Sequence, residues 1–274
     1  MIQLKNIEEY QGFSLSRGKD FLYIPPHKLL QPYISCYTIT FPVAMPNEYT
    51  ILPTASSTIV VSVSDSLISS GLRGVNTKAS KVGAKANKMK LLLLIEFRPG
   101  GLEPFLNIDQ TVLLDQYFSL HEFDSKLTHM IEEELIKASD IVSLIDGLNE
   151  LFLTRFVNFY MDKRTLGIAN KIMIHNGNIS PKELSVDFHY SERHIRRLFL
   201  QKIGITPKMF SRIVRVNYAL QLIQSSTPTL LDITTLAGFF DQSHFIHDFK
   251  EICGMSPTDY IKNMSVFYND KFKM

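Results

Sequence analysis

The sequence predicts an α+β chain in two parts: an N-terminal β-rich, barrel-like domain followed by helices, then an all-α domain of two helix-turn-helix units joined by a long helix. Three observations predict it. Short runs rich in Ile, Val, Leu, Phe, Tyr and Thr, punctuated by Pro, Gly, Asn and Ser, fill the first ~110 residues. After Leu113 apolar residues recur at spacings of three and four. Near the C-terminus a block of sequence repeats at an offset of 50 residues.

The 274 residues suffice for two domains. Hydrophobic residues make up 45% and charged residues 20%, the balance of a folded globular chain. No run of 18 apolar residues occurs, and Met1–Lys5, soon followed by Glu8 and Glu9, lacks the apolar core of a signal peptide. A cytoplasmic protein is expected, with Cys36 and Cys253 as reduced, buried thiols. The charge is asymmetric: from residue 165 onward 13 basic residues face 9 acidic, against 16 and 18 before it. A basic C-terminal part suits a phosphate-backbone partner.

In order along the chain, strands are expected at Asp20–Ile24, Ile34–Phe41, Thr58–Ser64 and Leu91–Phe97. Pro25-Pro26, Pro42, Pro46, Pro53 and Arg98-Pro99-Gly100-Gly101 mark turns between them. Arg73–Lys90, small, polar and basic, reads as a loop or hairpin with a mobile tip. Leu120, Phe123, Leu127, Met130 and Ile131 trace one helix; Leu144, Ile145, Leu148, Leu151, Phe152, Phe156 and Phe159 trace a second, with a break near Ala138–Val142. Met161–Thr165 reads as a linker, dividing a domain at 1–160 from one at 165–263, with 264–274 as a tail.

The repeat aligns S-E-R-H-I-R-R-L-F-L-Q-K-I-G-I-T-P-K-M-F from Ser191 with D-Q-S-H-F-I-H-D-F-K-E-I-C-G-M-S-P-T-D-Y from Asp241. Ser191 and Asp241 suit helix N-caps. Ile195, Leu198 and Phe199, like Phe245, Phe249 and Ile252, form an apolar stripe. Phe239 and Phe240 are also expected in the core. Gly204 and Gly254 suit left-handed stops, and Thr206-Pro207 and Ser256-Pro257 a fresh cap and first turn. Upstream of each block a short helix is expected. Ser180-Pro181-Lys182-Glu183 has capping-box spacing before Leu184–Phe188, and Asp232 precedes Ile233–Ala237. Short helix, tight corner and capped longer helix make helix-turn-helix units at about 180–203 and 232–253, joined by a long helix over Lys208–Ser225.

Gly238–Phe245, Asp248-Phe249-Lys250 and Gly254–Pro257 resemble the second unit of the AraC/XylS family of transcription regulators. Ser191, Arg193-His194-Ile195, Arg197-Leu198-Phe199 and Gly204–Pro207 resemble its first. The resemblance covers roughly 100 residues and implies a transcription regulator that binds double-stranded DNA sequence-specifically in the major groove. Candidate partners are a small-molecule effector, RNA polymerase and a second copy of the chain. The chain departs from the family pattern at Ser185 and Thr234, where a small alanine is usual, at His189 for a turn glycine and at His247 for an arginine.

On the recognition helices, the outward residues Glu192, Arg193, Arg196 and Arg197 of unit one and Gln242, Ser243, His244, Ile246 and His247 of unit two are the expected base readers. Arginine suits guanine O6 and N7, glutamine suits adenine, and Ile246 a thymine methyl. Lys182, Lys208, Arg212 and Lys250 are candidate phosphate contacts. His194 and His244 serve equally well as packing or turn-stabilising residues. His244, His247 and Cys253 allow a metal site to be drawn, but the resemblance accounts for the segment without metal or cofactor.

Ile24-Pro25-Pro26, Leu30–Tyr33, Ile51-Leu52-Pro53 and Glu96–Gly101 resemble the N-terminal domains of one AraC-type subgroup, which implies effector binding or dimerisation. Tyr33, Tyr37, Glu96 and Arg98 are the candidate ligand contacts; against this, Arg98 pairs with an acid and the tyrosines are core. The helices over 115–160 either form a dimer face or cover the barrel. No catalytic motif is present, and His27, His121 and His129 are too scattered for a metal-binding barrel, so no enzyme is expected. Two alternatives stand: a regulator acting by protein contact alone, and a DNA-binding protein with thiol chemistry at Cys36.

Overall fold

The structure, a computed structural model, describes residues 16–17, 21–40, 48–65, 67–83, 88–156, 163–225 and 229–262. The expected strand end at Phe41, helix residue Phe159, the first two linker residues and the tail lie outside them; residues 163–165, also expected as linker, instead open a helix.

An antiparallel sheet of seven strands forms the N-terminal part: β1 (Ser16–Arg17), β2 (Phe21–Ile24), β3 (Ile34–Thr40), β5 (Thr58–Val63), β6 (Ile68–Arg73), β8 (Leu91–Phe97) and β9 (Tyr117–Ser119), in the order β1-β2-β3-β8-β5-β6-β9. β4 (Glu48–Ile51) and β7 (Ser80–Gly83) form a separate two-stranded ribbon. The loop expected over Arg73–Lys90 therefore carries a strand. Period-two alternation decides the faces. Leu22, Ile24, Tyr37, Ile39, Ile59, Val61, Leu72, Leu93 and Ile95 are buried against α1 (Ser125–Lys137) and α2 (Ile141–Phe156). Leu127, Ile131, Leu144, Leu148 and Phe152 supply the helical side of this core. Buried polar groups tie the layers together. The Tyr37 hydroxyl donates to Asn149 Oδ1 at 3.2 Å and the Ser70 hydroxyl to Glu132 Oε1 at 2.8 Å. The helices expected over 115–160 thus cover the sheet.

The C-terminal part is helical: α3 (Lys163–Ile174), α4 (Pro181–Phe188), α5 (Glu192–Ile203), α6 (Pro207–Ser225), α7 (Leu230–Leu236), α8 (Gln242–Cys253) and α9 (Pro257–Lys262). α5 and α8 keep the 50-residue offset at both ends. Their caps are those expected: Ser191 Oγ accepts from His194 N and Asp241 Oδ1 from His244 N, while Gly204 (φ 93°) and Gly254 (φ 74°) stop the helices in the left-handed region. α7 starts a turn earlier than expected. Thr229 is its cap, and Asp232 is the third residue of a reciprocal capping box rather than the cap itself. Phe199, Phe210, Phe245, Phe249 and Tyr260 stack edge to face through the core. Phe239 joins them, but Phe240 is 92% exposed, contrary to expectation, because it occupies the corner just before the α8 cap.

The two parts share packing. Ala55 and Val75 are buried in the C-terminal core, and Leu52 and Leu114 pack on it. The buried Asn217 amide donates to Pro53 O at 2.9 Å, Ala79 N donates to Ile252 O at 2.7 Å, and Lys202 pairs with Glu103. No helix among the described residues is long and apolar enough to cross a membrane.

Candidate nucleic-acid interface

Unit one is α4, a corner at His189-Tyr190, and α5. The α4 capping box is complete: Ser180 Oγ accepts from Glu183 N at 3.2 Å and Glu183 Oε2 from Ser180 N at 2.8 Å. The corner turns on His189 in the left-handed region (φ 55°). Ile195, Phe199 and Ile203 bury one side of α5. This leaves Glu192, Arg193, Arg196 and Arg197 exposed on the other. Arg193 and Arg196, three apart, share a face and make no ion pair among the described residues. Glu192 also lies in the first turn, where a carboxylate favours the helix dipole. Arg197 Nη2 lies 3.1 Å from His194 Nδ1, and the His194 ring lies against Tyr190 at 4.6 Å, so His194 braces the corner.

Unit two repeats this frame with different chemistry. Gln242, Ser243, Ile246 and His247 are exposed on α8. His244 is partly buried, edge-on to Phe239 at 5.5 Å, with Nε2 3.4 Å from Asp248 Oδ2. The sequence reading missed Asp248, which is only 2% exposed. It stands inside the apolar stripe between Phe245 and Phe249, and a lone acid in such a stripe was the signal. Its counter-ion is Arg212 of α6: Nε lies 3.2 Å from both carboxylate oxygens and Nη2 2.7 Å from Oδ1, with Glu251 Oε2 2.5 Å from Nη2. Burial alone would raise the Asp248 pKa; the Arg212 bonds and charge, with help from His244 and His247, hold it below the usual carboxylate range. The Asp248 bond raises the Arg212 pKa in turn. Arg212, expected on phosphate, is thus occupied as a strut between α6 and α8. Lys182, Lys208 and Lys250 are exposed, without ion pairs among the described residues.

His247, Asp248 and Glu251 bring ligand atoms within 4.8 Å of one another, but Arg212 already neutralises the two carboxylates. Cys253 is no part of this group; it is buried in the core, and burial pushes its thiol pKa up. A groove of about 710 Å³ opens between the units, floored by Leu184 and Pro207 and edged by Lys208, Arg215, His244 and His247.

In the N-terminal part the four expected ligand contacts do not converge. Tyr33 lies in the sheet–helix core against Phe105, and Tyr37 is fully buried on that same side. Arg98 donates through Nε to Gln31 O at 2.7 Å. Only Glu96 stands on the opposite face, where Thr38 donates to its Oε1 at 2.7 Å. The reason is register: Cys36 pairs with Glu96, which puts Tyr37 on the other side of the pleat. Cys36 is buried with its sulfur 3.5 Å from Thr38 Oγ1, and neither cysteine forms a disulfide.

Comparison with known proteins agrees with this frame. Residues 184–263 match a helix-turn-helix domain family, and residues 23–119 match a domain of unknown function, DUF6597. The chain is 28% identical over 169 residues to the probable transcriptional regulator LumQ of Photobacterium leiognathi, covering 58% of this chain and 68% of LumQ. It is 33% identical over 84 residues to the uncharacterised HTH-type regulator YisR of Bacillus subtilis, and 39% identical over 70 residues to the activator RhaR of Escherichia coli K12. These matches span 31% and 26% of this chain, but only 29% and 25% of those proteins. Among solved structures, an AraC-type regulator from Chromobacterium violaceum aligns with TM-score 0.34 at 23% identity over 38% of this chain and 96% of its own. ToxT of Vibrio cholerae aligns with TM-score 0.44 at 10% identity over 82% and 98%. Two capped helices at a 50-residue offset, each behind a short helix and a tight corner and matched to regulators in sequence, mark this chain as a transcription regulator with an AraC-type helix-turn-helix domain at its C-terminus.

Proposed function

We propose that residues 165–263 read two successive major-groove faces of one duplex, and that residues 1–160 form an effector-binding domain that sets the geometry of the reading helices. The observation that carries the first part is the exposed guanidinium face of α5, held by caps that α8 repeats. Arg193 and Arg196 take guanine edges, and Arg197 a base or phosphate. Gln242, Ser243, Ile246 and His247 offer amide, hydroxyl, apolar and imidazole contacts to the second groove. Lys182, Lys208 and Lys250 hold phosphates, and the backbone joining the two grooves crosses the groove between the units.

The coupling rests on where the N-terminal part bears. Ala79 bonds to Ile252, near the end of α8. The turn at Gln110–Leu113 packs on α5, so that a Cβ at Gly204 would lie 2.7 Å from Gln110 O. One body therefore touches the C-terminal ends of both recognition helices. Separating it from them changes their freedom to adjust to DNA, which is where effector, RNA polymerase or a second copy would act.

Capture of fragmented DNA from the source genome by the full chain, followed by nuclease footprinting, tests this reading. Recovery of discrete fragments with a protected span of about two turns is expected. Uniform recovery of all fragments would overturn it.

A further inference from the structure

Five strands carry one polar row across the sheet face turned away from α1 and α2, ending at Tyr117, which is 59% exposed. Tyr117 pairs with Arg73, Arg73 with Thr58, Thr58 with Glu96, and Glu96 with Cys36. Directly paired residues point to one side of a sheet, so hydroxyl, guanidinium, hydroxyl, carboxylate and thiol stand in line. Gly71, one row along, makes room for this, since a Cβ there would sit 2.0 Å from the Tyr117 hydroxyl. Thr38, Thr40, Thr58, Cys36 and Tyr23 around the row are buried, whereas Arg73 and Glu96 keep partial access to solvent. The Arg73 side chain makes no hydrogen bond or ion pair among the described residues. Burial depresses its pKa, opposed by the charges of Glu96 and Tyr117. Glu96 engages Thr38 through Oε1 alone. A partly buried cation without a counter-ion in contact is costly, and two strand spacings, about 10 Å between Cα atoms, separate it from Glu96.

We infer that this row is the effector site, and that its ligand is a small organic anion whose carboxylate or phosphate sits on Arg73 while a neighbouring hydroxyl or amine donates to Glu96. This rests on the effector-domain reading above and names the chemistry of that site. It also supplies the route to DNA. Arg73 ends β6, and the chain then runs through buried Val75 to Ala79 on α8; Glu96 lies near the end of β8, and the chain then runs to Glu103 on Lys202 of α5.

The test is thermal unfolding of the full chain with lactate, glycerate, serine and glycerol 3-phosphate, each beside a neutral counterpart such as lactamide or glycerol. DNA capture is run in parallel on the same preparations. Expected is a Tm that rises with anion concentration, is unmoved by the neutral compounds, and does not respond in Arg73→Gln. Arg73→Lys should recover part of the response, and Arg98→Gln, a surface control, should retain all of it. Carboxylates and phosphate esters form separate arms that decide which head group fits. Should Arg73→Gln fail to fold, the contrast of acid with amide on the wild type still decides. No stabilisation by any anion, equal stabilisation by the neutral compounds, or an undiminished response in Arg73→Gln would overturn the inference. DNA captured normally in any of those cases would leave the reading of the DNA-binding domain standing.

Discussion

On α5 of unit one the outward face carries Arg193, Arg196 and Arg197; on α8 of unit two the same positions carry Ser243, Ile246 and His247, and the nearby Arg212 is held by Asp248 and Glu251. The frames nevertheless coincide, with matched caps, matched left-handed stops and matched apolar stripes. Caps and buried stripe therefore set the frame, and the reading face is free to differ. Unit one concentrates fixed positive charge, in guanidinium groups that suit guanine edges. Unit two spends its guanidinium on its own fold and offers DNA short, uncharged or titratable groups. Sequence stringency and salt dependence should then fall mainly on unit one.

The largest effect that would break this contrast lies in the strut. Arg212→Met leaves the buried Asp248 without its cation, which should cost about 3 kcal/mol in thermal or denaturant unfolding. A loss below about 1 kcal/mol would show that unit two does not depend on the pair. The pH dependence has a definite sign. Because the Asp248 carboxyl is depressed in the folded state, its stabilisation is complete above the unfolded value of about 3.9 and is lost as pH falls through the lower folded value. Wild type should lose stability on acidification below about pH 4, and Arg212→Met should lose less over the same range.

Next is Arg196→Ala, expected to cost about 1–3 kcal/mol of discrimination at one base position in competition binding. Ile246→Ala, its counterpart in unit two, should cost under about 1 kcal/mol. Equal effects would remove the asymmetry. The corners come third. His189 holds a left-handed backbone that Gly238 (φ 72°) adopts without strain in unit two, so His189→Gly should stabilise by about 1 kcal/mol. Gly238→Ala should destabilise by at least about as much, since its Cβ would lie 2.4 Å from Asn178 Nδ2. The smallest effect sharpens the electrostatic side. Lys208→Ala should lower the slope of log K against log salt by about 0.9, and His247→Arg should raise it by about as much. An unchanged slope in both would place the phosphates elsewhere.

Local rules made the C-terminal domain legible. Ser180, Ser191, Asp241, Gly204 and Gly254 act through neighbours within five residues, and the repeat checks each reading against a second copy. The proposed N-terminal site was not legible, because it is made of register. Strand β6 went unread since Ser69-Ser70-Gly71 looks like a turn, and its glycine is explained only by the Tyr117 ring crossing it. Glu96 was found for its chemistry. Tyr33 and Tyr37 were placed beside it because nothing in the sequence tells which residue of β3 lies opposite β8. Asp248 has a like history: its counter-ion Arg212 lies 36 residues away in sequence.

Selection of bound sequences from random duplex DNA, with wild type and Arg196→Ala side by side at one stated salt concentration, tests the central claim most directly. The account predicts a two-part motif with its halves about 10–10.5 bp apart, one half more stringent than the other, and a single position of the stringent half relaxed in the variant. A motif of one part only, or two equal parts indifferent to Arg196, would contradict it.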